Sequence, residues 1–259
     1  MKKWMLVVLV LAGSVSWGQA QIKIGNRTIN TKKVLNAASE VASAITLSDE
    51  DVAALCRESV KWMDEQNPVS DPGSAYSKRL DSLMKKVGEI EGLKLNYKVY
   101  EVVDINAFAC GDGSIRVFSA LMDDDELMAV IGHEIGHVVH TDSKDAMKNA
   151  YLAAAAKSAA GAAGGVLEKL TDSQLGEIAQ ALSNAQFSQK QETEADEYGF
   201  EFCIKHGFDP YGMANALEKL NNLSEGQKAS KFQQMFSSHP DSAKRASRMK
   251  EKADAYLNK

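Results

Sequence analysis

Two histidines, His133 and His137, flank Glu134 in the run His133-Glu134-Ile135-Gly136-His137. On a helix each residue turns the side chain by about 100°, so both imidazoles lie on one face, one turn apart. Two neutral imidazoles in that position suit zinc and supply two of the three protein ligands a catalytic site needs. Glu134 is rotated to the side of that face. It can reach a metal-bound water without being a ligand, take its proton, and later pass the proton to a leaving amine. His140 falls on nearly the same face but a further turn along, too far to close on the same ion, and is assigned a surface or packing role. A metzincin would carry its third histidine where this chain has Ser143, so that class is excluded.

The third ligand must come from elsewhere in the chain. In Glu192-Thr193-Glu194-Ala195-Asp196-Glu197-Tyr198-Gly199, helical spacing puts Glu192, Asp196 and Gly199 on one face and Glu194 on the opposite side. Glu192 would complete a two-His, one-carboxylate set and leave a fourth position for water. Asp196, one turn on, could orient His133 or His137 through a ring N–H. Gly136 and Gly199 are poor helix formers beside these residues, and their places predict a close approach of the two helices.

The elements that must hold these groups read as follows. Residues 21–47 are a lead-in with no clear period. Ser48 followed by Asp49, Glu50 and Asp51 starts a helix that runs to Gln66. Asn67 to Gly73 is a breaker-rich loop, and a second helix is expected from Ser74 to Ile90. Alternation over Leu93, Leu95, Tyr97 and Val99 predicts a strand, with further short strands at Ala107–Ala109 and Ser114–Phe118. An edge strand of that sheet could pair with an extended substrate backbone. The His133 helix is expected to start from the charges Asp123 to Glu126, and to run on past His140. Leu121, Leu127, Ile131, Ile135 and Val138 give the segment an apolar side. The Ala- and Gly-rich stretch Tyr151–Leu167 is read as a closely packed helix and loop, with a flap over the cleft or a surface that touches membrane as the alternatives.

The chain has 259 residues and a formal charge of −5, enough for one substantial core and without the basic stripe that nucleic-acid binding needs. Residues 1–20 have the form of a secretory signal: Lys2 and Lys3, a short apolar run, and small residues Gly18 and Ala20 before Gln21. Ser14 stands where a lipoprotein would carry its lipidated cysteine, so the mature protein is expected to be soluble. Export implies an oxidising compartment. Cys56, Cys110 and Cys203 allow at most one internal pair, and which residues form it, or whether all three are buried and unpaired, stays open.

His133-Glu134-Ile135-Gly136-His137, followed by Glu192-Thr193-Glu194-Ala195-Asp196, resembles the zinc metallopeptidase family of HtpX, BepA and the CAAX prenyl endopeptidases. Asn106-Ala107-Phe108-Ala109, Gly207-Phe208-Asp209-Pro210, and Ser238-His239-Pro240 with Arg245 extend the resemblance over residues 75 to 250 or so. It implies one zinc ion at His133, His137 and Glu192, with Glu134 as general base. It places Asp196 beside the site, where the family is often assigned a proton donor; the helical geometry favours an orienting role. His239 matches a loop histidine that restrains periplasmic relatives, as a regulatory group or fourth ligand. The chain departs from the family at Cys110-Gly111-Asp112-Gly113, and at Thr141-Asp142, where relatives carry a basic residue and a histidine. Neither departure is expected to touch the metal set.

The expected fold is mainly α with a small β-sheet, a gluzincin domain over residues 48–259 behind the signal peptide and the lead-in. The expected function is zinc-dependent endopeptidase cleavage of unfolded or misassembled envelope proteins in the periplasm, with peripheral contact to the membrane or to outer-membrane proteins. The alternative is a latent or chaperone-like binding module with a capped zinc site.

Overall fold

The computed structural model describes residues 21–24, 27–30, 47–90, 92–122, 126–157, 170–224, 239 and 242–259. The expected signal segment and most of the Ala/Gly stretch lie outside them. The lead-in is not featureless: β1 (Gln21–Ile24) and β2 (Arg27–Asn30) form an antiparallel pair with Ile22 opposite Ile29. The alternation of Ile22 and Ile24 with Lys23 and the Gly25-Asn26 dipeptide is a short hairpin signal that a search for longer periods passes over.

Helix α1 (Asp49–Gln66) begins where its sequence says. Ser48 accepts a hydrogen bond from the Asp51 N–H, and the Asp51 carboxylate accepts one from the Ser48 N–H, at 3.2 and 2.9 Å. That reciprocal pair satisfies two of the N–H groups a helix start leaves open. Helix α2 (Ala75–Met84) stops six residues before the expected Ile90. Gly88 and Gly92, at φ of +68° and +77°, turn the chain there. Val87 and Ile90 are buried all the same. The apolar phase persisted through a turn, which periodicity alone does not distinguish from a helix.

The sheet has the order β3-β5-β4, with β3 (Asn96–Tyr100) parallel to β5 (Ser114–Phe118) and β4 (Ala107–Ala109) antiparallel to it. β5 is central and carries Arg116, buried at 2 % exposure. Asp64, near the end of α1, takes both forks of that guanidinium, at 2.7 and 3.0 Å. It also accepts from Tyr100 Oη and Lys98 Nζ, at 2.7 Å each. Burial pushes the Asp64 carboxyl upward, but the bonds from Arg116, Lys98 and Tyr100 outweigh it and hold the pKa at about 2. A depressed carboxylate contributes stability above its unfolded pKa and loses it as pH falls through the folded one. Asp64→Asn is therefore expected to cost about 2–4 kcal/mol at pH 7, because Arg116 stays buried without a charge partner. It should also remove a stability loss that the wild type shows between about pH 4 and pH 2. Urea melts of both proteins across that range check both effects.

Helix α3 (Leu127–Val139) is buried from Leu127 through His137. It does not run past His140. His140 caps it, and Thr141, at a φ of +66°, reverses the chain into α4 (Asp142–Lys157). Helix α3 starts directly after Glu126, as expected. Asp123–Asp125 lie outside the described residues, and Glu126 at the cap makes no capping bond but pairs with Lys219. Among the described residues the remaining α-helices are α5 (Asp172–Ser183), α6 (Gln189–Lys205), α7 (Gly212–Ser224) and α8 (Ser242–Leu257). α6 crosses α3, α8 packs on α7, and α1, α4 and α5 form a second group against the sheet.

The α3–α6 crossing depends on the two glycines singled out above. A Cβ on Gly136 would meet Ala195 Cα at 3.1 Å, and one on Gly199 would meet the His133 backbone nitrogen at 3.1 Å. Bare backbone on both helices lets them approach closely enough for side chains on one to reach those on the other.

Candidate metal centre

Helix α3 presents His133 and His137 side by side, with their Nε2 atoms 3.2 Å apart. Glu192 reaches them from the first turn of α6, which Ser188 and Gln191 cap reciprocally. Its two carboxylate oxygens lie 3.6 Å from His133 Nε2 and 3.6 Å from His137 Nε2. His239 closes the group from the chain just before α8. Its Nδ1 is 3.0 and 3.1 Å from the Glu192 oxygens and 3.3 Å from His133 Nε2. All four donors are buried and lie within 4.8 Å of one another.

This donor set fits zinc. Two imidazole nitrogens facing each other at 3.2 Å can share at most one proton, and a carboxylate stands against both. A divalent cation would satisfy all three lone-pair donors together, with nitrogen and oxygen ligands of the kind zinc takes. Burial holds His133 below the usual histidine value, which favours the neutral ring a metal requires. Burial pushes His137 the same way, but its bond to Asp142 and the nearby Glu192 carboxylate outweigh that and raise it to about 9. A metal held there would take the place of a proton on that ring.

The far nitrogens of both rings face carboxylates, and of the two only His137 Nδ1 makes a hydrogen bond. Asp196, fully buried on α6, stands 3.1 Å from His133 Nδ1. Its oxygens also take Arg245 at 2.6 and 2.9 Å and Arg248 at 2.8 Å. Against burial, Arg245 and His133 hold the Asp196 carboxyl at about 2. Arg245 reaches Glu192 as well, at 2.6 Å. His137 Nδ1 pairs at 2.8 Å with Asp142, whose other oxygen accepts from Gln191 at 2.7 Å.

Asp142 is a correction to the expectation that Thr141-Asp142 stays clear of the metal set. The left-handed Thr141 turns the first residue of α4 back beneath His137. A straight helix would have carried it away. Phe187, which stacks on the His137 ring at 3.9 Å, was missed as well, and nothing in its local sequence marks it. Glu194 points away, as expected, and pairs with Lys190 at 3.5 Å. His140 is exposed, edge-on to Tyr198 at 6.1 Å, and outside the cluster.

Glu134 lies beside the metal cluster. Its Oε1 is buried without a hydrogen-bond partner, 3.5 Å from His239 Nε2. Two clefts meet there. One, of about 590 Å³, is apolar and lined by Leu121, Val130, Met213, Leu217 and Leu220. The other, of about 500 Å³, follows β4 from Asn106 to Cys110 and includes Phe187. Glu134 and His239 line both. β4 is an edge strand. Asn106 and Cys110 bond inward to β5, so the backbone of Ala107 and Ala109 faces the other way.

Peptidase family M48 matches the chain over residues 75–253. The chain is 39 % identical over 245 residues to the metalloprotease LoiP of Escherichia coli (strain K12), covering 93 % of this chain and 96 % of LoiP. It is 39 % identical over 228 residues to the metalloprotease YcaL of the same organism, covering 86 % and 88 %. The mitochondrial metalloendopeptidase OMA1 of Arabidopsis thaliana is 29 % identical over 194 residues, covering 72 % of this chain and 38 % of OMA1. A match across most of the chain, on the segments that bring the buried histidines and Glu192 together, settles its kinship: the protein is a metalloprotease and belongs to peptidase family M48.

Proposed function

We propose that the protein is an exported zinc endopeptidase that cleaves unfolded or misassembled proteins of the bacterial envelope, with residues 48–259 as one catalytic unit. The observation that carries the catalytic part is the meeting of both clefts at Glu134, a buried carboxylate oxygen with no hydrogen-bond partner beside four metal-capable donors. His133, His137 and Glu192 hold the zinc ion. Zinc bound there supplies the Lewis acid that polarises a scissile carbonyl and makes water acidic. Glu134 takes the proton of the attacking water and passes it to the leaving amine. Asp196 orients His133 and Asp142 orients His137. Asp196 is no proton donor, because both its oxygens are engaged by Arg245 and Arg248.

The edge of β4 supports backbone pairing with an extended substrate, and the apolar cleft supports a large apolar side chain next to the cleaved bond. Both requirements are met by unfolded chains and by few folded ones. Among the described residues no helix is long and apolar enough to cross a membrane. The periplasm as the site of action follows from the form of residues 1–20, and contact with the membrane or its barrel proteins would be peripheral.

Dialysis against a chelator is expected to abolish cleavage of an unfolded protein such as reduced casein. Readdition of zinc should restore it at one ion per chain, read by elemental analysis. Cleavage that survives complete metal removal would sink the reading.

His239 restrains the enzyme. It bonds Glu192 and approaches Glu134 within the space a substrate must enter. His239→Ala is expected to raise kcat/KM by about two- to tenfold, since the competent state no longer competes with the capped one. Unchanged or lower turnover would leave His239 as a structural loop residue.

A further inference from the structure

Cys56 and Cys110 are far apart in the chain and stand outside the metal cluster, yet the fold brings their thiols together. Cys56 lies on the buried face of α1. Cys110 follows β4 and opens the Gly111–Gly113 turn, its N–H bonded to Ser114 and its C=O accepting from Gly113. The two Sγ atoms lie within 4.8 Å of each other, and the residues are 1 % and 3 % exposed. Leu55, Val60, Phe108, Met147 and Ile178 belong to the same apolar cluster. Cys203 packs elsewhere, among Phe200, Met213 and Leu217.

The Asp112 carboxylate is within the same distance of both thiols, so a metal site is the competing use. The surroundings oppose it. Asp112 is engaged within its own turn, one oxygen accepting from the Ser114 N–H at 3.1 Å and the other from Ser114 Oγ at 2.8 Å, which leaves two thiols facing each other in an apolar enclosure. A disulfide is neutral and suits an apolar enclosure.

We propose that Cys56 and Cys110 form a disulfide in the mature protein, leaving Cys203 as its one free thiol. Both S–H bonds break and one S–S bond forms. The two electrons reduce the disulfide of a small oxidant such as oxidised glutathione, which leaves as two thiols carrying the two protons. The C-terminal end of α1 is already held to the sheet by Asp64. The disulfide pins the helix a second time, about two turns earlier, to the end of the strand that borders the cleft beside Glu134.

The oxidising compartment rests on the export reading, but the pairing does not, so the test supplies its own oxidant. The full chain is refolded with a glutathione redox buffer, denatured, and titrated for thiols. One reactive thiol is expected, rising to three after reduction, and non-reduced peptide mapping should join the peptides of Cys56 and Cys110. Three reactive thiols without reduction, or a link that includes Cys203, would overturn the pairing. Reduction is expected to lower the Tm of the wild type and of Cys203→Ser by about 5–15 °C, and to leave Cys110→Ser unmoved. A wild-type Tm that does not move on reduction would overturn the second anchoring of α1.

Discussion

Glu134→Gln is expected to reduce cleavage by about two to four orders of magnitude while bound zinc and thermal stability stay near wild type. The substitution keeps the shape of the side chain and removes its capacity to hold a proton. Glu134 makes no hydrogen bond through Oε1 that glutamine would have to replace. It is 6 % exposed and stands at the junction of the two clefts, where water and a bound peptide would meet. A hundredfold loss with zinc retained would separate proton transfer from metal binding, because any damage to His133 or His137 would appear as lost metal. Equal cleavage by the two proteins would remove Glu134 as the base. Cleavage by neither protein would return the fold to its other use, a module that binds unfolded chains without cutting them.

What the sequence made legible follows from the range over which each feature is specified. His133, Glu134 and His137 are set by one turn of one helix, and Glu192, Asp196 and Gly199 by two turns of another. Helical phase alone orients each trio. Gly136 and Gly199 even announced that the two helices touch, since a Cβ at either would press to 3.1 Å on the other helix. Asp142 was misjudged because its position depends on a left-handed residue at Thr141, a backbone choice that β-branched residues seldom make and that no local pattern signals. The stacking of Phe187 on His137 and the nearness of Cys56 to Cys110 are tertiary facts, carried by contacts between elements far apart in the chain. The α2 boundary failed for a different reason: Val87 and Ile90 are core residues reached by a turn, so hydrophobic phase reported burial correctly and secondary structure wrongly.

The resemblance marked Arg245 as a matched position without saying what it does, and the second large effect is expected there. Its guanidinium is 5 % exposed and holds two carboxylates at once, Asp196 through two bonds and Glu192 through a third. Those carboxylates come from one face of α6 and, on the proposed function, would serve the same ion, one through its own oxygens and one through the His133 ring. Two buried negative groups one helical turn apart repel each other, and Arg245 compensates both. Arg245→Leu leaves Asp196 with Arg248 and His133, and Glu192 with His239 and the metal. A loss of about 3–5 kcal/mol of stability is expected, with zinc affinity lower by about 10- to 100-fold. Arg245→Lys separates the two contributions. Its single ammonium restores charge balance but cannot form the fork to Asp196 while reaching Glu192, so stability should recover more than zinc affinity does. Chemical denaturation with zinc saturating and zinc absent, together with competition titration against a chelator, reads both quantities. If Arg245→Leu binds zinc as tightly as the wild type, then the ligands are positioned by backbone and packing alone, and the network around Asp196 is an adjunct to folding rather than to the metal.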